Sequence, residues 1–235
     1  MNNLQNTLFT SLLATAALFG VASRAGAQVP TAAVSQFAAL GGTNVTCTGG
    51  SVVGDVGTSP GSAVPYTNTG CTIAGASPPA TDQAAAQARS DFLSAYAAFQ
   101  YQSTTGTCTP ISGSLAASDL APGVYCVDSV AKTGVLTLTG PADGVWIFLI
   151  NGALTGTNFS VTMAGGGQPC NVFWVPSLAA TLTTSALKGN ILAGDDIGGS
   201  ITLTGGTLAG QASANVALTM TGVSVIGCQA LQMSQ

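Results

Sequence analysis

The sequence predicts a mostly β fold: a three-sided parallel β-solenoid with one long α-helix along one side. Three observations carry that expectation. From Gly123 onward the chain is a succession of short strand-like pieces broken by Gly, Asn and Asp. The pieces fall into three types that recur in a fixed order, as one strand per side per coil requires. And one stretch alone departs from this pattern, with apolar residues at helical spacing.

The first strand type, residues 123–127, 145–150 and 171–175, is apolar at successive positions, the mark of strands covered on both faces. The second carries Thr-x-Thr: Thr155-Gly156-Thr157, Thr181-Leu182-Thr183, Thr202-Leu203-Thr204 and Thr219-Met220-Thr221. The third, residues 159–163, 186–189, 207–210 and 223–226, is Gly-rich and small. An N-terminal piece fits the same cycle. Leu40-Gly41-Gly42, Thr46-Cys47-Thr48-Gly49-Gly50 and Val53-Gly54-Asp55 parallel Leu192-Ala193-Gly194, Thr202-Leu203-Thr204-Gly205-Gly206 and Leu208-Ala209-Gly210. Residues 37–55 therefore read as a coil cut off from the others. Residues 58–80, with four Pro residues and Cys71, read as a cap loop.

The helix is predicted over 81–103, with Thr81 as N-cap and Asp82 favourable in the first turn. Ala85, Ala88, Phe92, Tyr96 and Phe99 form its apolar stripe, which reads as core. About 21 residues at 1.5 Å each give about 31 Å. Six coils about 4.8 Å apart occupy about 29 Å. The helix thus matches the stack in length and covers the doubly apolar side. The chain starts at one end, crosses along the helix, and builds coils back until the last one meets the first.

The N-terminus reads as a secretion signal over residues 1–27. An apolar run from Leu8 to Val21 precedes Ala25-Gly26-Ala27, a small-residue cleavage site before Gln28, although no Lys or Arg precedes the run. The run is too short to span a bilayer comfortably. Residues 28–235 then form one domain in an exported, extracellular protein. Six Cys residues, 47, 71, 108, 126, 170 and 228, fit that compartment as disulfides. Sequence alone leaves several connectivities open; the neighbour-to-neighbour set 47–71, 108–126 and 170–228 is the expectation.

Composition narrows the chemistry. Only 5% of residues are charged and the net charge is −4, so nucleic acid and anionic lipid are poor partners. There is no His and no Glu, which removes His-based triads, His metal ligands and imidazole proton shuttles. No C-x-x-C pair suggests zinc. Asp195-Asp196 and Asp55 lie beside Gly and read as turn formers, Lys132 and Lys188 as isolated solvated charges, and Ser59 has no elbow and no His partner. No catalytic residue, metal site or cofactor is expected.

Residues i and i+2 of a strand share a face. Stacked Thr-x-Thr strands therefore make a flat two-column array of Thr46, Thr48, Thr155, Thr157, Thr181, Thr183, Thr202, Thr204, Thr219 and Thr221, in which the N-terminal pair adjoins the 219/221 pair. Such order can match another ordered surface, and ice is one. Thr ladders also simply stabilise sheets.

Together the segments Phe37-Ala38-Ala39-Leu40, Gly54-Asp55-Val56-Gly57-Thr58-Ser59-Pro60-Gly61, the Ala-rich helix, Pro122-Gly123-Val124-Tyr125, Val145-Trp146-Ile147-Phe148, Asn171-Val172-Phe173-Trp174 and Gly189-Asn190-Ile191-Leu192-Ala193-Gly194 resemble the DUF3494 ice-binding protein family over residues 32–228. The resemblance implies an irregular, right-handed solenoid flanked by a helix and a small cap. It also implies a secreted antifreeze-type protein, monomeric, whose partner is ice or ordered water bound on the helix-free face. Some of the family's more active members carry Thr-(Ala/Gly)-x-(Thr/Asn) there, which Thr155-Gly156-Thr157-Asn158 fits; the other pairs follow the simpler Thr-x-Thr. Two other readings compete: an adhesive surface module binding polysaccharide or cells, and a polysaccharide-active enzyme. The second lacks clustered charges in a groove, and the first lacks exposed aromatics, since Trp146 and Trp174 fall on the doubly apolar strands.

Overall fold

The structure, a computed structural model, describes residues 36–59, 65–78, 81–105, 108–113, 115, 118–195 and 197–233. The secretion signal predicted over 1–27 lies outside the described residues. In chain order come β1 (Phe37–Gly41), β2 (Asn44–Val53), β3 (Asp55–Thr58), β4 (Tyr66–Thr69), β5 (Thr72–Ala74) and helix α1 (Asp82–Thr104). Then follow β6 (Thr109–Pro110), β7 (Asp119–Leu120), β8 (Gly123–Val127), β9 (Val130–Thr139), β10 (Trp146–Ile150) and β11 (Leu154–Ala164). The chain ends with β12 (Val172–Pro176), β13 (Ala180–Lys188), β14 (Asn190–Ala193), β15 (Ile201–Ala209), β16 (Ala212–Ala214), β17 (Ala217–Ile226) and the short helix α2 (Cys228–Met233).

All pairings are parallel and build two sheets. One is ordered β3-β1-β16-β14-β12-β10-β8-β6; the other is β4-β2-β17-β15-β13-β11-β9-β7, with β5 also on β2. The first coil closes on the last: β2 pairs with β17 and β1 with β16. Chain order and space thus agree with a polypeptide that crosses the stack once and winds back.

The expected three strand types need one revision. The Thr and small types are not separate strands but two halves of one long strand, bent at a corner. Directly after the second Thr of each pair stands a residue in the left-handed region: Asn158, Thr184, Gly205, Gly222 and Gly49, with φ of 49°, 46°, 62°, 61° and 58°. Gly meets that conformation without penalty and Asn tolerates it. At Thr184, a β-branched residue, the hydroxyl donates to Asn158 Oδ1 at 2.7 Å and ties two corners together. Two hydrogen-bonded sheets therefore enclose three sides.

The first sheet is buried on both faces, as its unbroken apolar runs require. Inward residues Tyr125, Phe148 and Trp174 stack across the coils, with ring centroids 5.5 Å and 4.2 Å apart. Trp146 and Trp174 are fully buried, and their indole N–H groups donate to Leu120 O and Lys188 O, both at 3.0 Å. The outward residues Ile147, Leu149, Phe173, Val175 and Leu192 lie under Phe92 and Phe99 of α1. Ala85 and Ala88, at the other end of the helix, rest on Phe37 and Leu40 of β1. The helix thus covers one side from end to end. Thr81 occupies the N-cap position but makes no side-chain cap. Its hydroxyl donates instead to Val56 O at 2.9 Å, which anchors the helix start to β3.

Gly194 lies beneath the Tyr96 ring, where an added methyl would overlap ring carbons. Gly194→Ala is expected to lift α1 and cost about 1–3 kcal/mol, the usual range for overpacking. A lower denaturant midpoint at unchanged m-value would show it; an unchanged midpoint would mean that the helix floats over this coil.

The three disulfides are Cys47–Cys71, Cys108–Cys126 and Cys170–Cys228, the neighbour-to-neighbour set. They tie β2 to the segment after β4, the chain leaving α1 to β8, and the turn before β12 to α2. The cap loop expected over 58–80 is more regular than a loop. β4 and β5 add hydrogen-bonded strands to both halves of β2, so part of the cap continues the stack. Lys132 is not a solvated charge either: it is half-buried and its ammonium donates to Leu115 O at 2.6 Å.

Candidate binding face

The Thr residues picked out by spacing come together through strand register. Thr155 pairs with Thr181, Thr181 with Thr202, Thr202 with Thr219, and Thr219 with Thr46. Two residues on, Thr157, Thr183, Thr204, Thr221 and Thr48 form the second column by the same pairings. The intervening Leu182, Leu203, Met220 and Cys47 point inward and are buried in the core. That inward packing fixes the outward phase. Thr48, Thr155, Thr157, Thr181, Thr204 and Thr221 are exposed, and Thr46, Thr183, Thr202 and Thr219 are half-buried by their neighbours. The columns lie on the helix-free half of the second sheet, before the corner.

The half beyond the corner is also free of the helix, so two sides compete for any flat-surface role. Its outward row is Ser160, Ala186, Thr207, Ser224 and Ser51. Some hydroxyls there pair with one another: Ser51 Oγ meets Ser224 Oγ at 3.0 Å, and Thr137 Oγ1 meets Thr162 Oγ1 at 3.2 Å, while those of Ser160 and Thr207 have no partner among the described residues. Lys188 and the exposed Ile226 also stand on it. Among the described residues, none of the ten array Thr hydroxyls has a hydrogen-bond partner within the protein. The array therefore presents open donors and acceptors, each beside a methyl on a side chain restricted at χ1.

Among the described residues, two further Thr-x-Thr pairs escape a reading by motif alone. Thr67-Asn68-Thr69 lies in β4, in register with Thr46, Cys47 and Thr48. Thr137-Leu138-Thr139 lies in β9 past the corner, paired with Thr162, Met163 and Ala164 on the other side. The motif thus occurs on both sides, and only register assigns each copy. On β9 the first-column place opposite Thr155 is taken by Ala131, so the first hydroxyl column stops there. Asn158, the last residue of the four-residue motif, sits at the corner and accepts from Thr184.

No titratable side chain stands in the two columns. Asp195 forms a turn, as its sequence implies: its Oδ1 accepts from Gly198 N at 2.6 Å and Ile197 N at 2.8 Å. These amides hold its carboxyl below the ordinary value. Because the folded value is depressed, the turn's contribution is present above the ordinary carboxylate range and is lost only as pH falls through the lowered value. Asp196 lies outside the described residues. On the helix side, burial pushes the Tyr96 hydroxyl above its usual range. Among the described residues no cluster of His, Cys, Asp or Glu has the makings of a metal site.

A family model described as Ice-binding-like matches residues 39–226. Ice-binding protein K3-B1 of Typhula ishikariensis is 30% identical over 207 residues, which span 78% of this chain and 85% of that protein. The crystal structure of an ice binding protein from an Antarctic Biological Consortium superposes with a TM-score of 0.71 at 28% identity, over 86% of this chain and 92% of that one. The structure of an ice-binding protein from the Antarctic ascomycete Antarctomyces psychrotrophicus gives a TM-score of 0.64 at 28% identity, over 85% and 98%.

Proposed function

This chain belongs to the Ice-binding-like family, and from that premise we propose that it is an extracellular, non-enzymatic ice-binding protein that adsorbs through the two Thr columns. The observation that carries the choice of face is the set of aligned Thr hydroxyls that have no partner among the described residues, on a side where the described residues place neither helix nor charge. The apolar run Leu8–Val21 with its Ala25-Gly26-Ala27 site supports the extracellular assignment.

Adsorption needs no bond making. Successive Thr of one strand lie about 6.6 Å apart and neighbouring coils about 4.8 Å apart. Hydroxyls on that grid hold a layer of ordered waters at little cost in immobilisation entropy. The methyls limit other hydration geometries, and the absence of charge leaves no head group to impose its own shell. Each contact is weak, so strength comes from many ranks presented at once by a rigid stack. A monomer suffices, since one chain supplies the whole face. The adhesive alternative is not favoured: the outward positions carry Thr where stacking on sugar rings would call for aromatic side chains.

The test is to grow ice crystals in solutions of the protein. Shaped crystals and slowed recrystallisation are expected, and because no array residue titrates, the effect should be flat from about pH 5 to about pH 9. Unshaped crystals and unchanged recrystallisation would overturn the proposal. A steep pH dependence in that window would move binding to another face.

A further inference from the structure

We propose that Thr67 and Thr69 are a sixth rank of the ice-contacting array, delivered by a strand that the Cys47–Cys71 disulfide holds in register. This rests on the reading that the Thr columns contact ice. β4 belongs to the segment between β3 and α1, outside the regular coils, yet it pairs with β2 so that Thr67 falls beside Thr46 and Thr69 beside Thr48. Both side chains are exposed, and their hydroxyls have no partner in the protein among the described residues. The columns therefore run on past the last complete coil.

A four-residue edge strand is weakly held by itself, and two features fix it here. Asn68, whose register partner is Cys47, turns the chain at the end of β4: its amide donates to Cys71 O at 3.1 Å, and its Oδ1 accepts from Cys71 N at 2.9 Å. Cys71 then bonds covalently to Cys47, which is fully buried in the core between the two Thr of the preceding rank. The bridge thus pins the added strand to the array itself. β5 continues past the corner on the second half of β2, with Thr72 beside Ser51. At the opposite end Ala131 ends the first column.

The experiment compares Thr67→Tyr and Thr69→Tyr with Thr183→Tyr and Thr72→Tyr, all in the full chain with disulfides intact. Recrystallisation inhibition and the thermal unfolding midpoint are measured for each. Thr67→Tyr and Thr69→Tyr are expected to require about two- to fivefold more protein for the same inhibition, a change of about 1 kcal/mol or less. Thr72→Tyr, on the same tethered segment but around the corner, should match the unmodified protein. Removing the bridge by Cys47→Ala with Cys71→Ala should reproduce the loss seen in Thr67→Tyr, and adding Thr67→Tyr to it should lose nothing more, because both changes remove one rank. Full activity in Thr67→Tyr and Thr69→Tyr beside a loss in Thr183→Tyr would overturn the sixth rank and leave the array standing. An equal loss in Thr72→Tyr would also overturn it, by showing a general effect of disturbing the cap. Full activity in all four variants, or no activity in the unmodified protein, would overturn the reading of the array and this inference with it.

Discussion

Thr183→Tyr and Thr204→Tyr are expected to lose ice binding by on the order of tenfold or more, the equivalent of about 1.4 kcal/mol at the face. These residues neighbour each other in the second column, with Thr157 and Thr221 on either side. A flat crystal surface contacts all ranks or few. A phenol ring in mid-array stands above the Thr side chains and lifts the ranks on both sides, so its effect exceeds the loss of one hydroxyl. The fold should tolerate the change. Both positions point outward, and surface substitutions away from caps and cores stay within about 0.5 kcal/mol. Ala186→Tyr is the matched control: it is exposed on the next strand half, beyond the corner. Recrystallisation assays on the three variants, with unfolding midpoints alongside, check the expectation. Equal losses would argue for a stability effect, and a loss confined to Ala186→Tyr would transfer the binding face across the corner.

Trp174→Ala is expected to be the most damaging single substitution for stability, by about 3–5 kcal/mol. Trp174 is fully buried, stacks on Phe148 with planes 8° apart, and meets Phe159 edge-on at 6.0 Å. Its N–H satisfies Lys188 O. Truncation removes the ring and strands a carbonyl, against a total stability of about 5–15 kcal/mol for a typical domain. Phe148 lies on β10 and Phe159 on β11, so the ring joins the helix-covered sheet to the sheet that carries the array. Ice binding should fall together with the melting temperature. Trp174→Phe separates the contributions: it keeps most of the packing and loses the hydrogen bond, so a cost near about 1–2 kcal/mol is expected. A melting temperature in Trp174→Ala within a few degrees of the unmodified protein would mean that the coils are held by their hydrogen bonds and disulfides rather than by this aromatic ladder.

Much of the molecule was legible in the chain. The doubly apolar runs gave the covered sheet, because only strands buried on both faces tolerate Trp146-Ile147-Phe148-Leu149-Ile150 without a polar alternate. The stripe Phe92, Tyr96 and Phe99 gave the helix and its covered side, and matching lengths gave its path. The likeness of the two Gly-Gly segments gave the closure of the first coil on the last. β9 was the strand least visible in the pattern, because Ala131-Lys132-Thr133 lacks the Thr-x-Thr pair of the other coils. The cap strands were hidden by their Pro-rich surroundings, and Lys132 by the rule that lone charges are solvated.

Local side-chain phase is written in the sequence, since alternation fixes which residues of a strand share a face. That settled the solenoid, the helix and the existence of Thr pairs. It did not settle which pairs share a side. Thr137-Leu138-Thr139 and Thr67-Asn68-Thr69 carry the same tripeptide pattern, yet one lies across the corner and the other continues the array. The difference comes from register between strands remote in the chain, from left-handed corners at residues such as Asn158 and Gly205, and from the covalent tie at Cys47 and Cys71. Those are decided by how the inward side chains pack across coils, a property of the assembled stack that no single strand contains.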